Sequence, residues 1–219
     1  MIRRLLPVLP VVVLAACSTP RAGERIVPAA APDVVPMVAP TSAPSALGTT
    51  RPLGSAPEDL RAMAWDAVTV PGEFCALDDD PTLEGGNASA MSRTWGPVVV
   101  TWFDVAYGDV VGDARVEAAL RLDCNNGGGT AAGLLQYAIV LFTSESGQLW
   151  TLGAIVPQRQ PPDQLPTLMV IEEWRPGALV VAEKWYRSSD STCCPSGLAE
   201  VVWTWKDGSL VPGPVRITG

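Results

Sequence analysis

The stretch LLQYAIVLFTSESGQLWTLGAIV, residues 134–156, decides the fold of this chain. Leu134–Thr143 and Gln148–Val156 are runs of β-branched, aromatic and other apolar residues. Ser144-Glu145-Ser146-Gly147 between them is a hairpin loop. The same arrangement recurs downstream. Thr167–Trp174 and Ala178–Tyr186 flank Arg175-Pro176-Gly177, where Pro followed by Gly suits a tight turn. Val201–Trp205 and Leu210–Ile217 flank Lys206-Asp207-Gly208-Ser209, a turn carrying Asp-Gly.

Upstream, Val98–Val105 is rich in β-branched and aromatic residues, and Glu117–Cys124 sets Ala119, Leu120 and Leu122 against polar neighbours. Successive hairpins at this spacing predict a mostly β chain: a single antiparallel meander closing as a sandwich, a partial barrel or a curved sheet. There is no βαβ alternation, so a Rossmann-like or P-loop fold has no support. One short N-terminal helix is expected. Ser55 and Glu58 have capping-box spacing, Pro57 falls in the first turn, and Leu60, Met63 and Ala64 give an apolar face up to Trp65.

The chain begins differently. Arg3 and Arg4 precede Leu5–Ala16, an apolar run interrupted by Pro7 and Pro10 and too short to span a bilayer as a finished helix. It ends in Leu14-Ala15-Ala16-Cys17, the lipobox pattern, in which small residues lead to a cysteine whose thiol takes a diacylglyceryl group. Residues 1–16 are therefore read as a lipoprotein signal peptide and Cys17 as the lipid attachment site. Two acyl chains, at about 0.8 kcal/mol per buried CH₂, hold a protein firmly at a membrane. Residues 17–54 are read as the lipidated cysteine and a Pro/Ala-rich disordered tether. Its prolines at 28, 32, 36, 40 and 44 forbid a helix or a central strand. Fully extended, it would reach on the order of 100 Å.

The folded domain is placed at 55–219. All eight tryptophans lie there, with 10 basic and 21 acidic side chains, a net charge of −11. That balance argues against nucleic acid and against docking on an anionic lipid surface. The chain has no histidine, which removes Ser-His-Asp and Cys-His catalysis and His-ligated zinc.

Apart from Cys17, the cysteines are Cys75, Cys124, Cys193 and Cys194, an even number in an exported chain, hence two disulfides. Direct closure of the adjacent pair opposes normal bridge geometry. The expected pairing therefore sends Cys193 and Cys194 to Cys75 and Cys124, in an order the spacing leaves open. A Cys₄ zinc site would want two CxxC-like pairs, which are absent. Asp109, Asp113 and Glu117 are weak calcium candidates. They combine hard oxygens, Gly112 and a trailing glutamate, but Val111 and Ala114 stand where a calcium loop wants other residues. A β-turn with a solvated acidic rim is the preferred reading. Glu73, Asp78, Asp79, Asp80 and Glu84 form a second acidic patch, read as a solvated loop. Asn125-Asn126-Gly127-Gly128-Gly129-Thr130 lacks the Lys and following helix of a P-loop and is read as a connection between strands. Trp203 and Trp205, two apart on one strand, share a face, and core packing is preferred to a sugar-stacking role. No cofactor is implied.

Several of these elements occur together in a familiar order. Tyr107-Gly108-Asp109-Val110-Val111-Gly112-Asp113 leads to Glu117-Ala118, Cys124 and Gly127-Gly128-Gly129. Cys193-Cys194-Pro195-Ser196-Gly197 then precedes a Trp-Lys-Asp-Gly-Ser hairpin at 205–209. In this the chain resembles the LppP/LprE family of actinobacterial lipoproteins over roughly residues 98–214. The resemblance implies an exported, membrane-anchored domain and supplies no catalytic residues.

The function expected from the sequence is that of an extracytoplasmic lipoprotein. It would sit on the outer face of the cell membrane, monomeric and non-catalytic, and bind an envelope glycan or a protein partner. The alternative is an envelope glycan hydrolase using two carboxylates. Replacement Cys17→Ser should leave the protein unprocessed or release it into the medium. Fractionation of this variant with membranes at mature size would show that Cys17 is not the anchor.

Overall fold

The computed structural model describes residues 47–128 and 133–219. Cys17, the signal segment, most of the tether, and Gly129 and Thr130 of the glycine run lie outside the described residues. Eleven strands form: β1 (Arg51–Ser55), β2 (Asn87–Ser92), β3 (Gly96–Gly108), β4 (Glu117–Asn125), β5 (Leu134–Glu145), β6 (Gln148–Ile155), β7 (Leu168–Arg175), β8 (Ala178–Trp185), β9 (Gly197–Lys206), β10 (Ser209–Pro212) and β11 (Arg216–Ile217). The expected meander is present, divided between two antiparallel sheets. One runs β1-β6-β5-β4-β3-β2. The other runs β10-β9-β8-β7, with β11 also paired to β9.

The three anticipated hairpins form where local sequence places them. Ser146-Gly147 and Asp207-Gly208 each put two successive residues at positive φ (53° and 77°, 51° and 79°), the conformation whose twist matches paired strands. Pro176-Gly177 turns with Gly177 at φ 75°.

Side-chain alternation along β4 and β5 sorts the core in two. Leu120, Leu122, Cys124, Val140 and Phe142 point to one face of the first sheet. Ala119, Ile139 and Leu141 point to the other, where they meet Met169, Leu179, Val181, Val201 and Trp203 of the second sheet. The face away from the second sheet is covered by the segment between β1 and β2, through Leu60, Trp65, Val68, Val70, Phe74 and Leu83. Each large side chain so buried contributes about 1.5–3 kcal/mol.

That covering segment is not the expected helix. It makes three-residue 3₁₀ turns at Leu60–Ala62, Trp65–Ala67 and Glu73–Cys75. Ser55 ends β1 opposite Gln148, and Ala56 donates its N–H to Gly147, so the residues that would open a helix belong to a sheet edge. The cap is Asp59, whose carboxylate accepts from Arg61 N at 3.0 Å. A helix of this length is marginal by itself, and an irregular chain can aim Leu60, Trp65 and Val68 at the sheet in turn.

The folded body also begins before the boundary expected at Ser55. Leu47 exchanges backbone hydrogen bonds with Ala154, and β1 completes the sheet edge at β6. Arg51 ties this edge to the supposedly solvated acidic patch, contacting Asp80 at 2.7 Å and Glu73 at 2.9 Å.

The disulfide pairing differs from expectation as well: Cys75 bonds Cys124, and Cys193 bonds Cys194. The reason is alternation on β4. Cys124 faces the covering segment, where Cys75 is fully buried with it. The Cys193–Cys194 pair belongs to the loop between β8 and β9, on the opposite side of that strand, where Cys193 shares a cleft with Asp123 and Asn125. The sheet stands between the two pairs.

The Cys75–Cys124 bridge closes a loop of 49 residues, which corresponds to about 4 kcal/mol of loop-closure entropy in the unfolded chain. The double replacement Cys75→Ala/Cys124→Ala should therefore lower Tm by on the order of 10 °C. Cys193→Ser/Cys194→Ser closes no loop and should change Tm by a few degrees at most. Thermal melts check both, and a larger loss from the second double variant would contradict this assignment of roles.

Candidate functional site

A cleft of about 580 Å³ opens between the face of the first sheet and Leu168, Tyr186, Thr192 and Cys193 of the second sheet and its β8–β9 loop. Pairing register assembles its floor. Asn87 on β2 is opposite Thr101 on β3, Thr101 is opposite Asp123 on β4, and Asp123 is opposite Tyr137 on β5. The four side chains form one row across four strands, and all four line the cleft. Asn125 lies two residues along from Asp123 on the same face. Beyond the row, β3 is irregular between Trp102 and Asp104, where Phe103 is the extra residue of a bulge. Trp102 packs on the covered face while Phe103, 44 % exposed, lines the cleft. Tyr186, Thr192 and Cys193 close the side nearest the second sheet.

Asp123 is the centre of this arrangement. It is 7 % exposed. Its Oδ1 accepts from Asn125 Nδ2 at 2.7 Å, and that amide also reaches Thr101 Oγ1 at 3.0 Å. Burial pushes the Asp123 carboxyl above its ordinary pKa, against the hydrogen bonds from Asn125 and Thr101. The Tyr137 hydroxyl is pushed up too, by burial first and by the Asp123 charge second. Arg121, on the same face of β4, is engaged elsewhere: it contacts Asp104 at 2.6 Å and lies 5.6 Å from the centre of the Phe103 ring. Among the described residues, Asp123 takes part in no ion pair.

The loop carrying the vicinal cysteines is fastened at its base. Asp190 Oδ2 accepts from Arg187 N and Ser196 N, both at 2.8 Å, and these bonds hold its carboxyl below the usual range. Tyr186 donates its hydroxyl to Thr192 O at 2.9 Å.

Of the residues singled out from sequence, Asn125, Gly127 and Cys193 line this cleft, and the calcium candidates and the paired tryptophans fall elsewhere. Asp109 Oδ1 accepts from Gly112 N and Asp113 N, and Oδ2 from Ala114 N. Asp113 pairs with Arg115 at 2.6 Å. Glu117 is fully buried, and its Oε2 accepts from Val110 N at 2.8 Å and Val111 N at 3.2 Å. Both Asp109 oxygens and Glu117 Oε2 are thus turned onto backbone amides, the Asp113 carboxylate is taken by Arg115, and Glu117 Oε1 is buried without a hydrogen-bond partner. Among the described residues, no group of three His, Cys, Asp or Glu is placed to hold a metal ion. Trp203 is fully buried between the sheets, with Trp205 packed beside it. A second, larger hollow of about 700 Å³ lies between residues 58–61 and the β5–β6 hairpin. Its Arg61 and Arg115 are already paired, with Asp59 and Asp113.

The sequence does not single out Thr101, Phe103, Asp123, Tyr137 and Tyr186, and Asn125, read there as part of a connection between strands, is the last residue of β4. One signal was present: a charged residue inside Glu117–Cys124, with Asn125 two positions on. The register that joins it to Thr101 and Tyr137 is not a local property. Comparison with family models, with curated proteins and with solved structures finds no match to this chain.

An acid raised by burial binds its proton more tightly in the folded state. Its stabilising contribution is complete below the unfolded pKa and is lost as pH rises through the folded value. Asp123 is therefore an electrostatic liability at neutral pH. Asp123→Asn, which keeps an acceptor for Asn125, should raise Tm by a few degrees at pH 7. The gain should disappear as pH falls toward the ordinary Asp value of 3.8. An equal Tm difference at both ends of that range would show that the charge is not the cause.

Proposed function

We propose that the protein is a membrane-tethered, extracytoplasmic, non-catalytic binding domain whose site is the Asp123 cleft. The lipobox ending at Cys17, the proline-rich spacer and the resemblance to the LppP/LprE lipoproteins support the location. The observation that carries the binding role is the composition of the cleft. Aromatic side chains of Phe103, Tyr137 and Tyr186 surround one oriented carboxylate and its amide partner, in a volume suited to a small ligand or one group of a larger one.

The hydrolase alternative has less support. Two-carboxylate glycoside hydrolysis needs a second acid within about 5–10 Å of the first, and Asp123 is the one carboxylate among the described residues that line this cleft.

The test uses the chain produced without residues 1–16 and carrying Cys17→Ser, so that it bears no lipid, titrated with soluble fragments of cell wall and followed by NMR. Chemical-shift changes should concentrate at Tyr137, Tyr186 and Asn125, and Tyr137→Ala should weaken binding about tenfold or more. No new reducing ends should appear. Release of reducing ends that a single Asp or Glu replacement abolishes would establish the hydrolase instead.

A further inference from the structure

Asp123 is the one feature of the cleft that the protein itself leaves uncompensated. A buried carboxylate is unfavourable without a cation. The same strand carries one two residues away, yet Arg121 is held by Asp104 and the Phe103 ring. Asn125 orients Asp123 but brings no charge. The remaining walls that bear on the question are the rings of Tyr137 and Tyr186; Phe103 stacks on Tyr137 with ring centroids 5.9 Å apart and already faces Arg121. Ring faces attract cations, and the attraction strengthens when water is excluded. Beyond the cleft, the domain carries a net charge of −11 from Ser55 onward, a field that draws cations in and repels anions.

We propose that the cleft binds a small organic cation, an alkylammonium group seated against the Asp123 carboxylate and bordered by Tyr137 and Tyr186. This rests on the cleft being the binding site and names the chemistry that it selects. An anionic ligand would meet Asp123 with no cation free to receive it. A neutral ligand could hydrogen-bond to Asp123, Asn125 and Thr101 but would leave the charge buried and unpaired. An ammonium group supplies the missing charge and can accept the aromatic walls as neighbours. The vicinal cysteine loop is fastened through Asp190 and the Tyr186 hydroxyl, so one wall of the site is ordered in advance and little must be immobilised on binding.

The experiment compares choline with its uncharged isostere, in which carbon replaces the nitrogen, on the same Cys17→Ser chain produced without residues 1–16, by calorimetry and NMR. Choline should bind and shift the Tyr137 and Tyr186 ring resonances, and the isostere should bind about tenfold or more weakly. Asp123→Asn should reduce choline to the level of the isostere, and the melting temperature of that variant checks its folding. Tyr137→Leu, which leaves the carboxylate in place, should weaken choline more than the isostere. Equal affinity for the two compounds, or a preference that survives Asp123→Asn, would overturn the inference. If neutral saccharide fragments of cell wall shift the cleft while choline does not, the cation reading fails and the binding site stands. If cell-wall fragments bind with shifts confined to another surface and choline leaves the cleft unmoved, both readings fail.

Discussion

Strands β4 and β5 carry apolar side chains on both faces, and each face has to be covered. The second sheet covers one, through Met169, Leu179, Val181 and Trp203. An irregular segment covers the other, through Leu60, Trp65, Val68, Val70 and Phe74. Apolar burial is non-directional, so it does not demand regular structure from the cover. The cover is positioned by a few directional contacts instead. These are the Cys75–Cys124 bridge, the Arg51 contacts to Asp80 and Glu73, and the hydrogen bond from Trp65 Nε1 to Tyr107 Oη at 2.8 Å. Removal of the cover would expose the central strands, which is why so much of the domain's order traces back to these two strands.

Buried carboxyl groups take two forms in this domain. Glu117 holds the 110–111 amides, and Glu183 holds Gln158 N at 2.7 Å and Arg159 N at 2.9 Å. Both are pushed upward by burial and drawn back by those amides. Each pins a connecting loop to the end of a strand, a structural task that satisfies backbone donors otherwise left unpaired. Asp123 is different. Its partner is the Asn125 side chain, whose own Oδ1 accepts from Gly127 N at 2.8 Å; Asp123 itself accepts from no backbone amide, and it faces an opening with aromatic walls. A buried carboxylate that costs stability and accepts no backbone amide in return is where function is to be sought.

The acidic loop and the vicinal cysteines were the conspicuous motifs of the sequence, and their roles in the fold are mainly local. The Asp109 carboxylate caps three successive amides of a turn. The vicinal pair sits in a loop fastened by Asp190. Cys193 reaches the site only because that loop overhangs the cleft. Motif density in the chain and location of the cleft are thus poorly related here.

The sequence by itself determined strands β3 to β10 and the three hairpins, because alternation and turn chemistry are properties of neighbouring residues; the single strand expected over Leu210–Ile217 is broken at residues 213–215 into β10 and β11. Two short strands escaped it. β1 lies within a Pro- and Gly-containing stretch next to the tether, and β2, Asn87–Ser92, is small and polar; both are strands only because an existing edge offers them partners. The expected helix failed for the same reason, since Ser55 and Ala56 were claimed by that edge. The cysteine pairing, the two-sheet division and the cleft were decided by tertiary structure alone. Each depends on which face of a strand meets which distant segment. The row Asn87–Thr101–Asp123–Tyr137 joins four strands whose register is set by burial on the opposite face, and no local pattern in the chain carries that information.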